Sequence, residues 1–189
     1  MNIEKTFELA IENHKKNNFQ IAENLYKEAL KTNPNHFKSI YYLGTLLAET
    51  KKFDLAKLLF HKATQIQPNY AMAHNNLGNV LSELGEHQKA ISSYEKAIQI
   101  EPNYSHAHNN LGMILQKLGE YQKAISSYEK AIQIQPNYAK AHNNLGIVLQ
   151  ELGEYQKAME SFEKAITIQP DYVKAYNNLG NALKELGEY

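Results

Sequence analysis

Histidines at 74, 108 and 142 stand 34 residues apart, and each is followed by two asparagines. A regular set of imidazoles suggests a shared metal ion, and paired amides suggest a peptide ligand. The metal fails on distance. Residues one repeat apart lie on helices separated by about 8–10 Å, whereas a zinc ligand sits about 2.0–2.1 Å from its ion. The three histidines are therefore expected to pack at the edge of a core, with no metal or cofactor between them. The amides fare better, because an asparagine side chain offers one acceptor and two donors. These can pair with the N–H and C=O of a peptide unit together. No Gly-rich phosphate loop, activated nucleophile or convergent carboxylate pair is present, since Glu83 and Glu151 lie two repeats apart. Catalysis within this segment is not expected.

The elements that position these residues follow from punctuation at a fixed step. Prolines occur at 34, 68, 102, 136 and 170. Ala22, Ala56, Ala90, Ala124 and Ala158 keep the same period, as do Ala29, Ala63, Ala97, Ala131 and Ala165 seven residues further on. An aromatic stands between them: Tyr26, Phe60, Tyr94, Tyr128 and Phe162. The repeats run 3–36, 37–70, 71–104, 105–138 and 139–172, with a half repeat over 173–189. A period of this length and regularity marks a repeat array. Within the third repeat, Ala73, Leu77, Val80, Leu81 and Leu84 form one helical stripe, and Gly85 provides the left-handed stop. Ala90, Ile91, Tyr94, Ala97 and Ile98 form the stripe of a second helix, closed by Pro102. Gly78, Ala90 and Ala97 are small, so the two axes can approach closely with Tyr94 filling the space beside them.

Composition narrows the function classes. Twenty basic residues balance twenty acidic ones, so no net field holds the chain on nucleic acid or on an anionic membrane. All the basic residues are lysine, which removes the bidentate reader of phosphates and guanine edges. With 43% hydrophobic residues the chain can fold, yet no apolar run reaches the roughly 18 residues of a membrane span. The absence of cysteine fits a reducing compartment, and the N-terminus lacks the apolar centre of a signal peptide. A cytoplasmic protein is expected, without membrane insertion and without nucleic acid as a partner.

Leu77–Gly78, the Ala90 slot, Tyr94 and Pro102 together resemble the tetratricopeptide repeat, whose pattern is aromatic-x-x-Leu-Gly-x-x-Tyr, then Ala-x-x-x-Phe, then Pro. The resemblance covers essentially the whole chain. It departs at the first aromatic slot, which holds His74, His108 and His142, and at the Tyr slot, which holds Leu47, Leu81, Leu115, Leu149 and Leu183. It implies an all-α, right-handed superhelical solenoid of antiparallel helix pairs, with first helices lining a concave groove. It also implies a scaffold that binds a protein or an extended peptide there.

With Leu77 as the centre of the buried side, Asn75 falls about 160° away, Asn79 about 200° and Asn76 about 100°. The expected groove residues are Asn75, Asn76 and Asn79, then Asn109 and Asn110, Asn143 and Asn144, and Asn177 and Asn178. On that reading, alanine at Asn76, Asn110 and Asn144 spares the fold and weakens binding. The alternative is an inert polar face copied by duplication. Asn76, Asn110, Asn144 and Asn178 resemble the groove asparagines of O-linked N-acetylglucosamine transferase. Asn79, Asn110 and Lys140 occupy slots of a chaperone-type carboxylate clamp, but Asn75 and Asn144 stand where that clamp has cations. Nearer the start, Phe7, Tyr41 and Tyr42 fill slots that hold asparagine in later repeats. They read either as a drifted cap or as an apolar anchor pocket. At the other end, the half repeat is expected to leave Leu179, Ala182, Leu183 and Leu186 uncovered, as in a fragment of a longer protein. That stripe would be open to homo-oligomer formation. Two further readings stay open: a substrate-recruiting region of a larger enzyme, such as a glycosyltransferase or sulfotransferase, and a self-assembling scaffold.

Overall fold

The spacing of stops becomes eleven α-helices in the computed structural model, which describes residues 2–187, with no strand among the described residues. Residues 188 and 189, the last of the expected half repeat, lie outside that range. First helices of 13 residues alternate with second helices of 14: α1 (Ile3–Lys15), α2 (Phe19–Thr32), α3 (Phe37–Glu49), α4 (Phe53–Ile66), α5 (Ala71–Glu83) and α6 (His87–Ile100). They are followed by α7 (Ser105–Lys117), α8 (Tyr121–Ile134), α9 (Ala139–Glu151), α10 (Tyr155–Ile168) and α11 (Val173–Leu186). The chain is an all-α repeat solenoid of antiparallel helix pairs, grouped into two compact units, Met1–Ile100 and Glu101–Tyr189.

The turn inside each pair has one geometry. Glu86 N–H donates to the Leu81 carbonyl at 2.8 Å across Gly85, whose φ is 75°; this closes the helix with a five-residue backward bond. Lys52 N–H reaches Leu47 in the same way across Lys51, which carries a Cβ at φ 59°. That is a conformation L-residues rarely adopt. Each of the five prolines follows the last turn of a second helix and prevents its continuation.

In the N-terminal unit, α1 pairs with α2, α3 with α4 and α5 with α6, while α2 packs on α3 and α4 on α5. In the C-terminal unit, α7 pairs with α8 and α9 with α10; α8 packs on α9 and α10 on α11. The centre of the α3–α4, α5–α6, α7–α8 and α9–α10 pairs is an aromatic laid against a glycine. A Cβ placed on Gly78 would sit 2.6 Å from the Tyr94 ring, and one on Gly146 would sit 2.5 Å from Phe162. Between repeats of the N-terminal unit, Lys52 reaches the buried Glu23 at 2.8 Å, and one repeat later Lys57 reaches Glu86 at 2.9 Å. The same joint is made twice with its charges exchanged.

The end of the array differs from the expected bare stripe. Ala182 is fully buried, and Leu179 and Leu183 pack on the cluster of Leu149, Ala158, Met159 and Phe162. α11 turns its apolar side onto α10, which already carries a face for it. The exposed large apolar groups of α11 are Val173, Tyr176 and Leu186, of which only Leu186 belongs to the expected stripe.

Candidate functional site

The paired asparagines do not line an open groove as a set. Asn75, Asn109 and Asn143 are 4%, 0% and 3% exposed. The expectation that they point away from the core fails because a first helix has more than one neighbour. α9, for example, packs on α10 and α8 and also touches α7 and α11. A helical wheel with a single buried centre leaves out the first helices on either side.

These side chains form a ladder between consecutive first helices. Asn144 Nδ2 donates to Asn109 Oδ1 at 3.0 Å, and Asn178 Nδ2 donates to Asn143 Oδ1 at 3.0 Å. Asn109 Nδ2 in turn donates to Asn110 Oδ1 at 3.3 Å. In the N-terminal unit the slot of the first asparagine holds Tyr41, and Asn76 Nδ2 donates to its hydroxyl at 2.9 Å. One repeat earlier the rung has no hydrogen bond: Phe7 and Tyr42 meet ring to ring, with centroids 5.6 Å apart. An aromatic, a mixed and an amide rung thus occupy one structural position. Burying an amide without a partner is costly, so the ladder gives these asparagines a packing role.

Of the remaining candidates, Asn79 is exposed and accepts from the Tyr94 hydroxyl at 2.9 Å, while Asn177 and Lys140 are exposed. Asn76, Asn110, Asn144 and Asn178 are half-buried. In the C-terminal unit, Asn178, Asn181, Gln150, Glu151 and Ile147 line a polar hollow of about 510 Å³.

A larger hollow lies on the first-helix face of the N-terminal unit. Its volume is about 700 Å³, and Phe7, Phe37, Tyr41, Tyr42 and Tyr70 make up half of its lining residues. Tyr42 is 38% exposed, whereas Tyr41 and Phe7 are buried, so two rings are fixed and one is presented. The walls support one another: Tyr41 meets Tyr42 edge-on at 5.3 Å and Tyr70 at 5.3 Å, and Phe37 meets Tyr70 at 5.0 Å. Lys15 and Lys38 also line it. Sequence comparison singled out Phe7, Tyr41 and Tyr42 but missed Phe37 and Tyr70. Phe37 opens α3, and Tyr70 caps α5 from the preceding loop. Tyr70 belongs to a periodic series that precedes the first helices from α3 onward, His36, Tyr70, Tyr104, Tyr138 and Tyr172, whereas Phe37 stands one residue later, where the following repeats have Ala71, Ser105 and Ala139.

The three periodic histidines have a structural duty. Nε2 of His74, His108 and His142 lies 2.9, 3.0 and 3.0 Å from the carbonyls of Pro68, Pro102 and Pro136. The N–H must donate, since a carbonyl only accepts, and each ring ties its helix to the loop before it. Burial holds His108 and His142 below the usual histidine value of about 6.5. The folded chain therefore binds fewer protons there than the unfolded chain. Their contribution is complete above pH of about 6.5 and is lost as pH falls through the lower folded value. The melting midpoint is expected to drop between pH of about 7 and about 5.5, before most carboxylates protonate. In the His108→Gln/His142→Gln variant, whose amides can still donate, circular dichroism melts should show a shallower drop.

Among the described residues no helix is long and apolar enough to cross a membrane. Models of the tetratricopeptide repeat match residues 71–104, 103–171, and 25–57 with 161–189. No curated protein matches the chain. Among solved structures, MamA superposes with a TM-score of 0.78 at 28% identity, covering 87% of this chain and 96% of its own. YrrB, described as a TPR protein with an unusual peptide-binding site, superposes with a TM-score of 0.72 at 26% identity over 91% of this chain and 89% of its own. PilW, a type IV pilus biogenesis factor, reaches a TM-score of 0.89 at 21% identity over 98% and 86%, a likeness of fold alone.

Proposed function

The chain belongs to the tetratricopeptide repeat family, and we propose that it is a protein-interaction scaffold taking an extended peptide of its partner on the first-helix face of the N-terminal unit. The observation that carries this reading is the aromatic hollow with its partly exposed Tyr42. A rigid, mutually braced set of rings gives a large apolar contact at little entropic cost, which is how anchor pockets concentrate binding energy. The peptide-binding site named for YrrB supports peptide recognition on this architecture. Within the N-terminal unit, the half-buried amide of Asn76 adds a polar contact only at its exposed edge.

A displayed random dodecapeptide library, panned on the intact chain, tests this directly. Enriched peptides are expected, and Tyr42→Ala should weaken their binding about tenfold or more, as for truncation of an anchor residue. Its melting midpoint serves as a control on folding. An empty selection, or binders indifferent to Tyr42→Ala, would sink the proposal.

A further inference from the structure

We infer that the occupant of the aromatic hollow is an acidic peptide segment carrying one bulky apolar side chain; this rests on the peptide-binding reading above. The aromatic wall by itself is ambiguous. A cage of rings also draws quaternary or primary ammonium groups through their electron-rich faces. The charges at this hollow decide between the two. Lys15 and Lys38 both line it, and no carboxylate does. Lys15 is exposed and has no ion pair among the described residues. Lys38 lies 5.8 Å from the Phe7 ring centroid, so one cation already sits over a ring of the cage. Its only acidic neighbour among the described residues is Glu4 at 3.9 Å, and Glu4 is shared with His36 at 3.4 Å.

A smaller hollow adjoins the first through Ile11, Lys15 and Tyr42. It does contain a carboxylate, Glu49, but His14 Nε2 holds that group at 2.8 Å. Lys15 stands where the two hollows meet. In the aromatic hollow an incoming ammonium would thus meet two like charges and no lining carboxylate, whereas an incoming carboxylate would meet two ammonium groups at the rim of an apolar floor. Attraction at such exposed sites is screened by salt, so it sets preference among peptides, while the rings supply the bulk of the contact.

Three fluorescein-labelled peptides test the inference by anisotropy on the intact chain: Gly-Glu-Asp-Phe-Asp-Glu-Gly, its lysine-flanked counterpart Gly-Lys-Lys-Phe-Lys-Lys-Gly, and the alanine-centred Gly-Glu-Asp-Ala-Asp-Glu-Gly. The first should bind at least about tenfold tighter than either of the others, with the preference shrinking as salt is raised. In Lys15→Glu/Lys38→Glu, two exposed positions whose change should leave the melting midpoint nearly unmoved, the preference between the first two should reverse. Equal or tighter binding of the lysine-flanked peptide overturns the inference. If that binding is lost in Tyr42→Ala, the peptide-binding reading survives. Equal binding of the alanine-centred peptide overturns the apolar anchor. If none of the three binds, the inference falls, and the library selection decides whether the wider reading falls with it.

Discussion

Replacing Gly112 by alanine is expected to destabilise the chain by about 1–3 kcal/mol, while the same change at Gly180 should stabilise it by about 0.5–1 kcal/mol. Both glycines stand in the interior of a first helix at the same slot, so helix propensity alone predicts a gain at each. Packing separates them. A Cβ on Gly112 would lie 2.7 Å from the ring of Tyr128, which is fully buried and cannot swing aside; a Cβ on Gly180 meets nothing within 4 Å. A methyl group at Gly112 must therefore push α7 and α8 apart, and Gly112→Leu should do so more severely. Urea unfolding followed by circular dichroism would measure the difference. Because a repeat array can lose two-state behaviour, the midpoint is safer than an extrapolated free energy. Equal gains at both positions would mean that the Leu-Gly step is not held by the opposing ring.

The same contrast shows what the sequence could and could not reveal. Helix boundaries were legible because their causes are local: Pro102 removes a donor, Gly85 takes a left-handed turn, and Ala90 and Ala97 recur beside Tyr94. The edge position of His74, His108 and His142 was legible too, though their bonds to proline carbonyls one loop back were not. The slot of Asn75, Asn109 and Asn143 was misread because a wheel measures angle from one buried side, whereas Asn109 and Asn143 meet the next first helix, a neighbour created only by stacking repeats. Burial of a residue type that seldom tolerates it was the missing clue, and polarity concealed it. The aromatic hollow was half legible. Phe7, Tyr41 and Tyr42 departed visibly from their slots, but Phe37, Tyr70, Lys15 and Lys38 join them only once α1, α3 and the loop before α5 converge.

Loss of the Asn109 amide should cost about 1–3 kcal/mol, and its partner Asn144 is one of the three positions at which alanine was expected to spare the fold. Asn109 is fully buried, and its side chain accepts from Asn144 and donates to Asn110. Asn109→Ala removes these bonds, with a weaker one to the Met113 sulfur, and leaves the Asn144 amide facing a gap. Asn144→Ala removes one bond and leaves the Asn109 oxygen buried without its donor. The double variant loses the shared bond only once, so the two single costs should exceed the double cost by about 0.5–1.5 kcal/mol. Asn109→Asp offers a further check. A carboxylate could still accept from Asn144 but could not donate to Asn110, and burying its charge is unfavourable; it should melt earlier than the parent at neutral pH and recover part of the loss as pH falls and the acid protonates. Additive single costs would show that the two amides do not stabilise one another, and the repeated asparagines would then have to be explained by what lies outside the helices. A coupling of the expected size would instead make the pair a joint between repeats, and would direct the search for a ligand away from the asparagines and toward the rings around Tyr42.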